Sequence, residues 1–347
     1  MKKIISFLNT DIKIINSYFL FTIVLIILVC VGYSSYALFS FTKTSNNVIE
    51  GTVGELKKSG VDTLIKLTNN QNNSGLYTIT HEADTTLQIG TNESVTEYRY
   101  RGASPKNYVT FNNEVWRIIG VFPTDDGTGK IENRIKLIKD QFIGGKYWDI
   151  SGTNNWTRPA TLNTELNTTY LNSLDSTSKS MIGNTKYYLG GYDGSEYQQG
   201  LVQTPVDMYS YERKIKNTKS NEFYYGSNPN SFIGKIGAMY ASDYGYASSN
   251  CETKKLYDQN SSNYDIRACN DTNWLYNIKN AEWLLDQNPD RGLGVNFYYT
   301  NKNGYIENFG GMFSTHNFHV RPVLYLKSNV KITGGDGTSS NPYTLGL

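Results

Sequence analysis

The sequence is short of cysteine and histidine, and it has almost no excess of charge of either sign. Three cysteines and three histidines occur among 347 residues, which excludes a disulfide-dense mini-domain. The net charge of +2 is already that of residues 1–41, where three lysines outweigh Asp11, so the rest of the chain sums to zero. A sequence-independent nucleic-acid binder needs a basic face, and we therefore predict no nucleic-acid partner.

The composition is that of a chain that folds, and its one long apolar run lies near the N-terminus. Hydrophobic residues make up 38% of the chain and aromatic residues 14%, which excludes full-length disorder. Residues 18–41 carry no charged side chain, and about 20 apolar residues suffice to cross a ~30 Å hydrocarbon layer. The sequence predicts a transmembrane helix or signal segment at 18–41. Residues 1–17 are expected in the cytoplasm because Lys2, Lys3 and Lys13 precede the run.

The expected location is the cell membrane, with a single pass through residues 18–41 and the C-terminal domain outside. The alternative is a secreted protein cleaved near Ala37, because Ser35-Tyr36-Ala37 fits a small-x-small cleavage pattern. The stretch Ser34–Gly54 also resembles the export signals of camelysin-type and matrix-fibre proteins of Gram-positive bacteria. Both fates of the segment stay open at this point.

The remainder of the chain divides by amino-acid composition into two parts. Residues 42–96 are rich in Thr, Asn and Ser and predict a polar stalk or linker, whereas residues 97–347 predict a folded domain. Three alternating runs rich in β-formers, Tyr108–Phe111, Val115–Phe122 and Arg134–Lys139, predict neighbouring strands joined by turns at Asn, Asp and Gly residues. These runs place an antiparallel sheet at the start of the domain.

One amphipathic helix and several long loops follow this sheet. Leucine and tyrosine recur at helical spacing within residues 161–175, which predicts a helix packed on the sheet. Residues 183–230 show no clear period and predict long loops, which in compact domains are usually functional or mobile. A further hairpin is expected around Gly304.

Two cysteines lie outside the apolar run, and they are close enough in sequence to close one loop. An exported domain favours a disulfide between Cys251 and Cys269, worth ~3 kcal/mol on the chain-entropy estimate. Cys30 is an apolar residue of the hydrophobic run. No further cysteine or nearby histidine completes a metal site with this pair.

The order of four segments gives the domain a resemblance to known sequences. They are Glu97–Phe122, Asn154–Leu174, Ile233–Ser248 and Asn317–Leu345, and the most specific piece is the ending VRPVLYLKS…GDGT…NPY. Over residues 97–347 the chain resembles a family of exported hypothetical proteins of gut Firmicutes and related low-GC bacteria. The resemblance implies an α+β C-type-lectin-like or formylglycine-generating-enzyme-like domain with long loops, behind the N-terminal transmembrane helix. It implies no activity that can be carried over residue by residue.

The sequence offers no convincing catalytic or metal-binding constellation. A formylglycine-generating activity needs a late cysteine pair, and no cysteine follows Cys269. No G-x-S-x-G elbow occurs, and His316 and His319 stand three apart, which on a strand places them on opposite faces. Residues 287–290 only loosely resemble a calcium-lectin turn. We therefore predict no catalytic residues, no metal site and no cofactor.

Tyrosine and asparagine are the abundant side chains, and they indicate a binding surface. The chain has 28 tyrosines, twice as many as phenylalanines, and tyrosine with asparagine is typical of binding loops. An AT-rich gene would also enrich both residues, so the two explanations stay open. The patch is densest in residues 296–318. The candidate ligand-binding residues are Tyr298, Tyr299, Asn301, Asn303, Asn308 and Asn317.

The sequence therefore predicts a non-catalytic binding protein at the bacterial surface. Its partners would be the membrane, through residues 18–41, and a glycan, a cell-wall polymer or a protein ligand. A structural or assembly protein is the first alternative, and long uninterrupted edge strands would favour it. An extracellular enzyme is the second, and it would show carboxylates converging in one pocket with perturbed pKa values.

Overall fold

The chain divides into two compact units, Met1–Lys57 and Lys58–Leu347. The first unit is described only at residues 21–23, 25–26 and 28, which are helical. In the second unit, the computed structural model describes residues 58–151, 158–191, 204–215, 229–249, 251–256, 269–276, 280–289, 295–300, 304, 306–309 and 316–347.

The expected fold class and location are corrected by the helices that the structure describes. None of them is long and apolar enough to cross a membrane. The longest α-helix, Pro205–Arg213, has 9 residues and reaches about 14 Å at ~1.5 Å per residue, against the ~30 Å of a bilayer core. The predicted span at 18–41 lies outside the described residues except at the six helical positions. In place of a transmembrane helix followed by a C-type-lectin-like α+β domain, the structure shows a mixed α/β fold made mostly of strands.

The described elements alternate short helices with strands along the chain. The helical segments are α1 (Gly60–Ile65), α2 (Thr161–Glu165), a π-helix (Leu166–Tyr170), α3 (Leu171–Ser173), α4 (Ser176–Met181), α5 (Pro205–Arg213) and α6 (Ala241–Tyr246). The strands are β1 (Gly75–His81), β2 (Val95–Arg101), β3 (Tyr108–Phe111), β4 (Glu114–Asp125), β5 (Ile131–Lys139), β6 (Gly145–Lys146), β7 (Thr185–Tyr188), β8 (Ser231–Gly234), β9 (Ile236–Gly237), β10 (Glu282–Pro289), β11 (Val295–Thr300), β12 (Ile306–Phe309), β13 (Phe318–His319), β14 (Val323–Tyr325), β15 (Lys331–Gly334) and β16 (Thr344–Gly346).

A seven-stranded sheet forms the centre of the second unit. Its strand order is β1-β2-β4-β5-β14-β9, and β3 pairs with β4. Asn112 and Asn113 both adopt positive φ, 55° and 56°, as the tight turn between β3 and β4 requires. In β4 every residue from Trp116 to Phe122 is buried, so this strand is covered on both faces.

Gly120 allows β2 and β4 to approach each other closely. A Cβ on Gly120 would lie 2.0 Å from the carbonyl oxygen of Tyr98, so only glycine fits there. The register of β4 with β5 shifts between Ile118 and Gly120, which is the irregularity that a strand glycine often marks.

A π-helix turn lets Asn167 complete the far edge of the first sheet. The Asn167 side-chain oxygen accepts from the backbone N–H groups of Lys235 (2.9 Å) and Ile236 (3.1 Å), and its amide donates to Ile236 O (2.8 Å). The side chain thus supplies the hydrogen bonds that a neighbouring strand would give to β9. Wider turns of this kind are rare and usually serve a specific contact.

A second sheet has the strand order β12-β11-β10-β13-β6. Part of the segment 42–96 is folded together with the domain. Residues between 58 and 96 form α1 and β1, and β1 pairs along its whole length with β2. The boundary between compact units lies at residues 57 and 58, whereas the sequence placed it between 96 and 97.

Candidate functional site

The predicted ligand residues fall on or beside the second sheet. Tyr298 and Tyr299 lie in β11, and Asn308 lies in β12 directly opposite Tyr298 in the strand register. Asn317 precedes β13 and is exposed. Asn301 and Asn303 lie outside the described residues. The side chains of Tyr298, Tyr299 and Asn308 are not described either. The candidate set is thus divided between a hairpin and an exposed segment of one sheet.

Partly exposed aromatic and histidine rings occur on the residues next to β6 and β13, the two strands beside Asn317. We name this set, Phe142, Tyr147, His316, Asn317 and His319, the β6–β13 rim. The Phe142 and His319 rings meet edge to face with centroids 5.1 Å apart, and Tyr147 is 43% exposed. Gly145 lies opposite His319 in the register, and a Cβ there would come within 2.4 Å of the Asn317 side-chain oxygen. Glycine therefore lets the Asn317 amide lie against β6.

Two buried tryptophans, Trp148 and Trp283, pack next to the strands that carry the rim. Trp283 is fully buried and contacts Phe318 and Trp148, with ring centroids 4.6 and 5.8 Å apart. Its indole N–H donates to the carbonyl of Lys146 in β6 (2.7 Å). Trp283 thus packs on Phe318 of β13 and hydrogen-bonds to β6, so it joins the two strands that carry the rim.

An arginine–glutamate pair fixes Phe142 and β10 to the same region. Arg321 donates to both carboxylate oxygens of Glu282 at 2.6–3.0 Å, and it also donates to the carbonyl of Leu275 (2.8 Å). Its guanidinium lies 5.3 Å from the Phe142 ring centroid. Bidentate pairs of this kind are geometrically specific, and this one orders the base of the rim.

A second constellation of polar groups lies between the first sheet and the helices α5 and α6. We name it the buried charge cluster. Its members are His81, Glu97, Arg99, Lys136, Glu212, Arg213, Asp243 and Asp286. Arg99 bridges Glu97 and Asp243 at 2.8 and 3.0 Å, and Lys136 also contacts Asp243. His81 stacks flat on Tyr209, with ring centroids 3.4 Å apart.

Three carboxylates of this cluster bind the N-terminus of α6. Asp243 accepts from the N–H of Tyr240 (2.9 Å), Asp286 from that of Ala241 (2.8 Å), and Glu212 from that of Ser242 (2.8 Å). Helix N-terminal N–H groups have no partner within the helix, and each of these three takes a different carboxylate. Residues from α5, α6 and β10 are thereby joined at one point.

Burial and neighbouring charges set the ionisation of these groups. Burial opposes the charge of Glu97 and of Asp243, but the guanidinium of Arg99 beside Glu97 and the ammonium of Lys136 beside Asp243 keep both pKa values below their ordinary range. Burial, reinforced by the neighbouring carboxylate of Glu212, raises the pKa of Asp286 well above its usual value. Burial also lowers the pKa of the Lys136 ammonium, against the neighbouring carboxylate of Asp243. The pKa values of the carboxyl groups in this cluster are thus shifted in opposite directions.

The cluster meets one condition for an enzyme and fails another. Carboxylates with pKa values shifted in opposite directions are typical of acid–base sites. However, Glu212, Asp243 and Asp286 are each at most 1% exposed, and each is bound to the backbone of α6. No group of three or more metal-ligating side chains occurs among the residues that the structure describes. The observed geometry is that of a buried structural network.

Cys251 and Cys269 form a disulfide with their Cα atoms 6.0 Å apart. The residues that resemble a calcium-lectin turn take a different conformation, since Gln287, Asn288 and Pro289 continue β10 and pair with β11. Asp290 lies outside the described residues.

Sequence reasoning missed the buried charge cluster and the part that residues around 142–147 take in the rim. Glu212 and Arg213 belong to a segment without apolar period, so nothing local marked them. The RPV ending was visible in the sequence, and Arg321 within it turned out to order Phe142. The chain matches no protein-family model, no curated protein and no solved structure.

Proposed function

We propose that this protein is a non-catalytic binding protein whose second sheet holds a carbohydrate ligand, with the β6–β13 rim as the contact surface. The observation that carries the proposal is a set of half-exposed rings beside the exposed amide of Asn317, supported by buried Trp283. Pyranose rings have apolar C–H faces that stack on aromatic rings, and amides hydrogen-bond to their hydroxyl groups. Binding sites commonly combine apolar walls with a few placed polar groups.

The charges around the rim favour a ligand without strong charge. Lys146 pairs with Glu165, and Arg158 pairs with Asp149, so these cations are neutralised within the protein. A densely anionic ligand would need unpaired cations at its contact surface. A neutral or weakly charged glycan fits this arrangement better.

The enclosure of the carboxylates supports binding over catalysis. A general acid or base must come within hydrogen-bond reach of the reacting group. Glu212 in α5, Asp243 in α6 and Asp286 in β10 are buried and already bind backbone N–H groups. The rim itself contains aromatic, histidine and amide side chains and no carboxylate.

The test is binding of the full-length protein to an array of neutral and acidic glycans, followed by calorimetry on the glycan that binds best. We expect Phe142→Ala and Asn317→Ala each to weaken binding by about tenfold, which corresponds to about 1.4 kcal/mol. Ile131→Ala is the matched control, because Ile131 is 52% exposed but starts β5 in the first sheet. Chelator should leave binding unchanged. Absence of any glycan binding, or wild-type affinity in both rim variants, would refute the proposal.

A further inference from the structure

The hairpin of β11 and β12 is held at two points by residues that flank the disulfide. The backbone N–H of Ile306, the first residue of β12, donates to the carbonyl of Leu256 (2.9 Å). At the turn, Gly304 has a φ of +81°, and a Cβ there would lie 2.2–2.4 Å from the side-chain atoms of Asn270. The turn therefore lies directly against the Asn270 amide.

Both contact points depend on the position of the disulfide loop. Leu256 follows Cys251 closely in the chain, and Asn270 is the residue after Cys269. The Ser248 hydroxyl donates to the carbonyl of Cys269 (2.9 Å), which ties this end of the loop to the residues just after α6. The disulfide joins the two ends, so Leu256 and Asn270 reach the hairpin together.

A third contact reaches the same turn from α6. The Tyr244 hydroxyl donates to the carbonyl of Gly304 (3.1 Å), and the Asn273 amide donates to the carbonyl of Tyr244 (2.9 Å). The turn is thus enclosed by α6 on one side and by the segment after Cys269 on the other.

We propose that the Cys251–Cys269 disulfide positions the β11–β12 hairpin, and that ligand binding by the second sheet requires the oxidised form. The inference rests on the proposed function, because the hairpin carries Tyr298, Tyr299 and Asn308 in the sheet that contains the rim. Opening the disulfide frees the two ends of an 18-residue separation, so Leu256 and Asn270 no longer reach the hairpin together. The pairing of β11 with β10 and the Tyr244 contact remain, but the turn loses its joint support.

Reduction of the disulfide needs a thiol reagent, and a dithiol completes the reaction in two exchange steps. One thiolate of the reagent attacks a disulfide sulfur, which forms a mixed disulfide and releases the other cysteine as a thiolate. The second thiol of the reagent then displaces the bound cysteine. Two electrons and two protons pass to Cys251 and Cys269, which become thiols, and the reagent becomes a cyclic disulfide.

The first measurement is glycan binding by the full-length protein before and after dithiothreitol treatment, and in the Cys251→Ser/Cys269→Ser double variant. If reduction lowers the fraction of correctly placed hairpin to about one tenth, the apparent affinity falls about tenfold. Asn270→Ala should weaken binding in the same direction with the disulfide intact. Asp271→Ala is the matched control, since Asp271 is the exposed neighbour of Asn270 and should bind like wild type.

Hydrogen exchange gives a readout that does not depend on the ligand. Reduction should raise the exchange rate of the amides in residues 304–309 and leave those of residues 115–122 in β4 unchanged. Unchanged exchange at 304–309 overturns the inference, and so does an equal rise in both segments, because the disulfide then acts only on global stability. A selective rise without glycan binding by the oxidised protein supports the positioning inference and refutes the proposed function.

Discussion

At the scale of single residues, Asp286 holds the least usual position. It is fully buried, one carboxylate oxygen accepts from Ala241, and the other has no hydrogen-bond partner among the described residues. Glu212 lies beside it and binds the next N–H of the same helix. Burial and the neighbouring carboxylate of Glu212 both oppose the ionised form of Asp286, so its pKa lies well above the ordinary value.

Replacing Asp286 with Asn should remove a pH dependence of stability. Because the folded-state pKa of Asp286 is raised, its contribution is complete below about pH 4, its ordinary unfolded range, and is lost as pH rises toward the folded-state pKa. Wild type should therefore lose up to about 1.4 kcal/mol per pH unit relative to Asp286→Asn within that window. Urea unfolding of both proteins at pH 5 and pH 8 measures the difference.

Asp271→Asn is the control for this comparison, because its carboxylate is exposed. Parallel stability curves for wild type and Asp286→Asn would contradict the raised pKa of Asp286. The sequence could not predict that Glu212 and Asp286 lie side by side. Residues 212, 243 and 286 are far apart along the chain, and only the folding of α5 and β10 onto α6 brings them together. The disulfide was predictable because just two cysteines lie beyond the apolar run.

At the scale of elements, the sequence predicts best where pairing is local. β3, β4 and β5 follow one another in sequence and in the sheet, so alternation and turn residues sufficed to place them. α5 was missed within residues 183–230, because its buried side chains include Tyr209, Glu212 and Arg213. An apolar period cannot reveal a helix that packs charged groups against a sheet. The helix at 161–175 was predicted, but its π-helix turn was not.

The π-helix turn leads to a prediction about the edge of the first sheet. Asn167→Ala removes the partner of two backbone N–H groups and one carbonyl of residues 235 and 236. Each buried polar group left without a partner costs about 1–3 kcal/mol, so we expect a loss of at least about 2 kcal/mol in the free energy of unfolding. Thr168→Ala is the control, because its exposed hydroxyl bonds only within the helix. Equal stability of the two variants in urea would show that β9 needs no side-chain partner.

At the scale of the whole molecule, the closing segment is central to the fold, although it comes late in the chain. β14 begins directly after Pro322 and lies between β5 and β9, so the last part of the sequence completes the first sheet. A proline is typical of an edge strand or of a strand start, and Pro322 directly precedes a strand that lies within the sheet. Pairing between residues nearly 190 positions apart, such as Leu137 and Leu324, leaves no local pattern that a single sequence could show.

Three buried carboxyl groups, Glu97, Asp243 and Asp286, predict a pH dependence of stability with two opposite slopes. Glu97 and Asp243 have lowered folded-state pKa values, so their contribution is present above about pH 4 and is lost as pH falls. Asp286 acts in the opposite direction, since its contribution is lost as pH rises. These three carboxyl groups therefore make the free energy of unfolding fall below about pH 4, and fall again as pH rises toward the folded-state pKa of Asp286. Exposed carboxylates with lowered pKa values, such as Asp126 and Asp336, contribute little because solvent screens them.

Urea titrations from pH 3 to pH 8 measure the curve, and Asp286→Asn should flatten its alkaline side. A curve that still rises at pH 8 would show that the buried charge cluster does not control the stability of the molecule.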